Sequence, residues 1–322
     1  MANTKKRRDI EVYENYWKFT AAHLDITGTK FNNCLNIIVL FIDKNMHALK
    51  ENADHGDFAD SELYKQLQQQ IVEISGFRGT DATLSARKVI NQFVKIGYIY
   101  PLLVGYHPLV KSFIKETNKE KKEIIFSKIF YENSSLASDV TLDNRELKHV
   151  NFLLKTLDKN GSLNKDDIMA LMVTDISNYR AGYLTREQLD MQHQYAIVSE
   201  FDERKYNQIA HLIGYLKRFV DLKYDKNEER FWFADDPQIA DKDFDESFAR
   251  DGVKHRIYKD ELKEESKAIY GEPVCYLDKK PYKSLIASHI KPCVDCLKEH
   301  NEEEAYDVDN GLLLSPTVDS YF

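Results

Sequence analysis

The sequence predicts a mainly α N-terminal region, winged helix-turn-helix-like, followed by a small α+β C-terminal domain. Three observations predict it. Glycine and proline are scarce, 12 and 7 in 322 residues, roughly half the usual share, which disfavours a turn-rich all-β fold. Apolar residues recur at helical spacing through most of residues 9–220. From Cys275 onward the pattern changes to short alternating runs that suit strands. At roughly 150 residues per domain the chain holds about two domains. The acidic stretch 225–246, interrupted by Phe231-Trp232-Phe233, reads as their connection and places the boundary near 245, giving 1–245 and 246–322.

The N-terminal elements follow from periodicity and stop signals. Residues 61–75 set Leu63, Leu67, Ile71 and Ile74 on one face and end at Gly76 to Gly79. In the next helix Ala86, Val89, Ile90, Phe93 and Val94 share a face, with Thr83 or Ser85 as N-cap and Gly97 at the C-terminal stop. Its opposite face carries Arg87, Lys88, Asn91, Gln92 and Lys95. Tyr98 to Tyr106, broken by Pro101 and Gly105, is β-prone. Helix, turn, helix, hairpin is the order of a winged helix-turn-helix. Arginine, lysine, asparagine and glutamine can read base edges and phosphates from the major groove. The same face also suits a merely solvated helix.

Residues 143–157 read as a helix opened by a capping box at Asp143 to Glu146, with Leu147, Val150, Leu154 and Leu157 inward. After the turn 158–162 a second helix starts near Asn164, with Asp167 three residues on. The turn superficially suits a calcium loop, but Leu163 and Met169 stand where glycine and a bidentate glutamate are needed. A second small helix-turn-helix is the reading. Residues 202–219 form a helix with Ile209, Leu212, Ile213 and Leu216 inward and Lys205, Lys217 and Arg218 outward; another spans about 249–269.

With 43% hydrophobic and 30% charged residues the composition is that of a globular chain, not a disordered one. The net charge of −8 argues against a protein that coats nucleic acid non-specifically, yet allows a local basic surface. The longest apolar runs are too short to span a bilayer. The basic start Lys5-Lys6-Arg7-Arg8 lacks an apolar continuation, so it is no secretory signal. Four cysteines without a disulfide framework complete the expectation of a cytoplasmic protein.

The C-terminal segment carries the chemistry. Ser284 to Ile290 alternates and stops at Pro292; Asp309-Asn310-Gly311 precedes the run Leu312-Leu313-Leu314; Ser315-Pro316 opens a helix whose first turn holds Asp319. Leu285-Ile286-Ala287-Ser288-His289-Ile290-Lys291-Pro292, then Asp309 to Pro316, then Asp319-Ser320-Tyr321-Phe322, resembles the HNH (ββα-metal) nuclease signature, in its type II restriction endonuclease variant. Cys275 to Asp278 fits the strand preceding that signature. The resemblance covers about 50 residues; helices of the N-terminal part look more loosely similar to recognition regions of restriction enzymes.

The resemblance implies site residues. His289 is carried to the general-base position, Asn310 to the residue that holds the loop behind it, and Asp319 to a ligand of a divalent cation, Mg²⁺ or Mn²⁺. Lys291, beside the histidine, is a candidate DNA contact together with Arg87, Lys88, Asn91, Gln92 and Lys95. Many HNH enzymes have an acid or histidine just before the base; here it is Ser288, with Asp307 and Asp309 as nearby acids. The family usually continues beyond a single turn after the third motif residue, so the unit is either C-terminally truncated or a natural short form. Cys275, Cys293, Cys296 and His300 have Cys₃His spacing and form a candidate structural Zn²⁺ site. The resulting expectation is a sequence-specific double-stranded DNA endonuclease acting as a homodimer. Its alternatives are a modification-dependent nuclease and a non-catalytic DNA-binding regulator with a decayed HNH domain.

Overall fold

The computed structural model describes residues 17–51, 53, 56–234 and 250–321. The expected boundary near 245, the basic residues Lys5 to Arg8 and most of the acidic connection lie outside them. Helices dominate: α1 (Thr29–Glu51), α2 (Glu62–Ser75), α3 (Ala82–Lys95), α4 (Val110–Lys115), α5 (Lys119–Asn133), α6 (His149–Asn160), α7 (Lys165–Met172), α8 (Arg186–Val198) and α9 (Phe201–Leu216) precede a two-stranded antiparallel ribbon, β1 (Leu222–Asp225) and β2 (Arg230–Phe233). Local signals start several of them. Ser61 caps α2 by accepting from the Tyr64 amide, and Asn164 with Asp167 forms a reciprocal capping box on α7. Their apolar faces merge into one core running from Trp17 to Ile257.

Three expectations for this region need correction. The wing is absent: only a single bridge joins Ile99 to Tyr106, because Pro101–Leu103 winds into a 3₁₀ turn with Leu102 and Leu103 at positive φ. The helix expected from residue 143 begins at His149; Asp143 instead holds the Arg145 guanidinium through two hydrogen bonds. The far face of α3 is not a solvated reading face. Gln92 is 0% exposed and Lys95 3%, because the stretch 17–26 crosses that face. Gln92 satisfies its backbone, accepting from the amides of Ala22 and His23 and donating to the His23 carbonyl, while Lys95 Nζ donates to the Lys18 carbonyl. Arg87 and Lys88 are exposed and Asn91 is half-buried.

Burial lowers the Lys95 pKa to about 7. The unfolded chain therefore binds more protons than the native one between about pH 7 and the ordinary lysine value, so stability rises with pH across that window. In denaturant titrations at pH 7 and pH 9, the wild type should gain stability relative to Lys95→Met. An equal response of both proteins would show that the ammonium is not desolvated.

Helix α10 (Gly252–Tyr270) joins the two parts of the molecule. Asp251 caps it by accepting from the amides of Val253 and Lys254 and also accepts from Tyr131 Oη at 2.8 and 3.0 Å. Val253 and Ile257 enter the large core. Arg256 reaches Asp221 at 3.2 Å and Asp158 at 3.6 Å and lies over the Phe233 ring. The neighbouring face carries Tyr258 and Leu262 into a second core with Cys275, Leu285, Ala287, Leu313 and Leu314. That core belongs to β3 (Ile286–His289) and β4 (Gly311–Leu314), an antiparallel pair in which His289 stands opposite Gly311. Short helices α11 (Cys293–Lys298) and α12 (Glu302–Ala305) fill the connection, and α13 (Pro316–Asp319), capped by Ser315, follows β4. Cys275 to Asp278 is a turn rather than the expected strand, tied to β4 through the Tyr276 amide and Leu313 carbonyl. No helix among the described residues is long and apolar enough to cross a membrane.

Candidate active site

His289 ends β3 because Pro292 stops the strand and Ile290 already bonds back to the Asn310 carbonyl. Its side chain is half-buried. Nε2 lies 3.0 Å from the Ala305 carbonyl oxygen. A carbonyl only accepts, so the proton of the neutral ring sits on Nε2 and the lone pair on Nδ1. Burial, reinforced by the Arg250 guanidinium, lowers the pKa to about 4; the ring is therefore neutral at pH 7 and able to accept a proton. Tyr258 stacks on it at 4.8 Å between centroids with planes 18° apart. His255 lies 5.9 Å away and nearly parallel. His255 is 4% exposed, and burial followed by the Arg250 charge lowers its pKa to about 2.

Asn310, 8% exposed, fastens the loop behind the histidine. Its Oδ1 accepts from the Lys291 amide at 2.8 Å, and its Nδ2 donates to the carbonyls of Lys291 and Glu304, each at 3.1 Å. Both ends of the connection between the strands are thereby held to one side chain, and the Ala305 carbonyl that orients His289 follows directly on one of them. Lys291, read from the sequence as a DNA contact, instead pairs with Glu299 at 2.7 Å and Glu304 at 3.1 Å. Asp307 accepts from the Asp309 amide and caps a 3₁₀ turn, a local structural job.

Asp319 comes to the other side of β3. Its carboxylate accepts from Ser288 Oγ, so the residue just before the histidine and the third motif residue face one another between the strand and α13. Alternation along the strand sends Ser288 and His289 to opposite faces. Two hard oxygen donors side by side suit Mg²⁺ or Mn²⁺, which is commonly held by one or two carboxylates, substrate phosphate and water. Among the described residues no group of three or more His, Cys, Asp or Glu is arranged to hold a metal. That overturns the Cys₃His expectation. Cys275 is buried under α10 and β4, whereas Cys293 and Cys296 pack with Ala305 in a separate cluster. All four cysteines of the chain are free and buried.

Sequence reading missed the aromatic support from α10, His255 and Tyr258, and the cation Arg250 just before its cap. The spacing of His255 and Tyr258, three residues apart on a helix, marked a common face, but nothing in the sequence said which domain that face would meet.

An antiparallel strand pair with a histidine at its mouth and a short helix closing on the residue before it make up a ββα unit. A family model described as HNH endonuclease matches residues 269–322, and the chain carries an HNH endonuclease domain at its C-terminus. No curated protein and no solved structure matches the chain. His289, Asn310 and Asp319 lie within the matched segment; His255 and Tyr258 lie outside it.

Proposed function

We propose that the protein is a type II restriction endonuclease that hydrolyses double-stranded DNA with His289 as general base and one divalent cation. The observation that carries the reading is the neutral His289 ring, its Nε2–H bonded to the Ala305 carbonyl and its Nδ1 left to take a proton from water. Ser288 and Asp319 are the residues that would hold the cation. When bound there, across the strand end from His289, it would supply Lewis-acid neutralisation of the scissile phosphate on the side away from the base. Asn310 keeps the loop from relaxing, so the imidazole plane is fixed before substrate arrives. On the helical region the candidate DNA contacts are Arg87 and Lys88, exposed on α3, with Asn91 beside them. Gln92 and Lys95 are withdrawn from that set by their burial. Cutting both strands calls for two catalytic domains, which a homodimer supplies.

The test is cleavage of supercoiled plasmid and of mixed genomic DNA, methylated and unmethylated, with Mg²⁺, Mn²⁺ or EDTA. Discrete fragments from unmethylated DNA, abolished by EDTA, are expected. Cleavage confined to methylated DNA identifies a modification-dependent nuclease. Intact DNA under every condition, with retained duplex binding, identifies a non-catalytic regulator.

A further inference from the structure

We propose that Tyr258 is a positioning residue of the nuclease, clamping the His289 ring against helix α10. The inference rests on the reading of His289 as the base, and its residue lies outside the segment that matches the HNH family. Tyr258 is 1% exposed and makes two different contacts with the site. Its ring covers one face of the imidazole at 4.8 Å, within the range of favourable aromatic stacking. Its hydroxyl lies 3.4 Å from the carbonyl oxygens of both Ser288, in β3, and Asn310, just before β4. With Nε2 anchored on the Ala305 carbonyl, the stack removes the remaining freedom, rotation of the ring about that bond.

Gly311 has the conformation of an ordinary extended residue, φ −124°, so no turn demands glycine there. What demands it is the approach of α10. A Cβ at Gly311 would collide with Tyr258 Oη and stand 2.8 Å from Leu262 Cδ2. The tyrosine is held from behind by the helical region: Asp251 bonded by Tyr131, Arg256 by Asp221, and Val253 and Ile257 in the large core. The aim of the base is thus set by a helix rooted in the other part of the molecule.

The full chain carrying Tyr258→Phe or Tyr258→Leu tests this, with Tyr258→Met as a second non-aromatic variant should leucine prevent folding. Steady-state cleavage of plasmid gives kcat and KM, and proton NMR gives the His289 ring signals, which a stacked aromatic face displaces upfield. Phenylalanine should preserve both the displaced signals and a kcat close to wild type, the long hydroxyl contacts being weak. Leucine or methionine should return the ring signals to those of an unstacked imidazole and lower kcat about 10–100-fold with KM unchanged, as misplacement of a reacting group does. Leucine and methionine variants with wild-type kcat and unmoved ring signals overturn the proposal, as does an equal loss in the phenylalanine variant. Failure of the wild type to cut DNA with either metal overturns the nuclease reading instead, and the ring signals alone then decide whether Tyr258 holds His289.

Discussion

His289→Ala should slow DNA cleavage by about 10²–10⁴-fold, the usual contribution of a positioned general base, and leave the protein folded. The residue is half-buried at the end of a strand, so truncation opens no large interior cavity. What is lost is the lone pair on Nδ1, the atom left free once Nε2 is engaged by Ala305. The pH profile provides a second mark of the same group. A base must be unprotonated to act, and burial has lowered this one to about 4. Cleavage should therefore hold its rate from neutral pH downward and fall only as the pH passes below about 4, not near the ordinary histidine value. Single-turnover cleavage of plasmid by wild type and variant between pH 3 and 8 measures both. A variant within tenfold of wild type would remove His289 from the mechanism, and an acid limb near 6.5 would show the ring to be solvated.

Arg256→Ala should cost about 3 kcal/mol of stability, the lower end of the range for breaking a buried ion pair. The guanidinium is 9% exposed and serves Asp221 and Asp158 at once, besides donating to the Ala234 carbonyl. Burial already raises the pKa of both acids, so removing the cation leaves two carboxyl groups in surroundings that penalise their charge. The lower end applies because Asp158 is 39% exposed and water can screen it. Lysine at this position should recover only part of the loss, a single ammonium being unable to span two carboxylates as a fork does. Urea unfolding of the three proteins reads the differences. A loss under about 1 kcal/mol, the worth of an exposed pair, would mean that α10 is held by its apolar contacts alone.

Both variants bear on contacts made by helix α10, and that helix is where sequence and structure part. Periodicity placed the helices at 61–75, around Ala86 to Val94, at 202–219 and at about 249–269, since each buries a stripe whose spacing is set by the backbone alone. Composition disfavoured a turn-rich all-β fold. The order His289, Asn310, Gly311, Asp319, with Pro292 and Ser315-Pro316 as punctuation, located the nuclease module within its short final stretch. Local chemistry suffices there, because strand, turn and N-cap are each specified by neighbouring residues.

What only the tertiary structure decided was which side chains meet across the chain. Gln92 and Lys95 have the composition of a DNA-reading face, yet the stretch 17–26, some 70 residues earlier, lies over them. Cys275, Cys293, Cys296 and His300 have the spacing of a zinc site, but spacing along a chain does not fix convergence in space. Gly311 looks like half of a turn dipeptide and is instead the clearance for a tyrosine more than fifty residues away. Sequence by itself determined the elements and the chemical type of the site. Tertiary packing alone decided the surroundings of its groups, because burial, proton affinity and ring orientation depend on residues brought near by the fold rather than by the order of the chain.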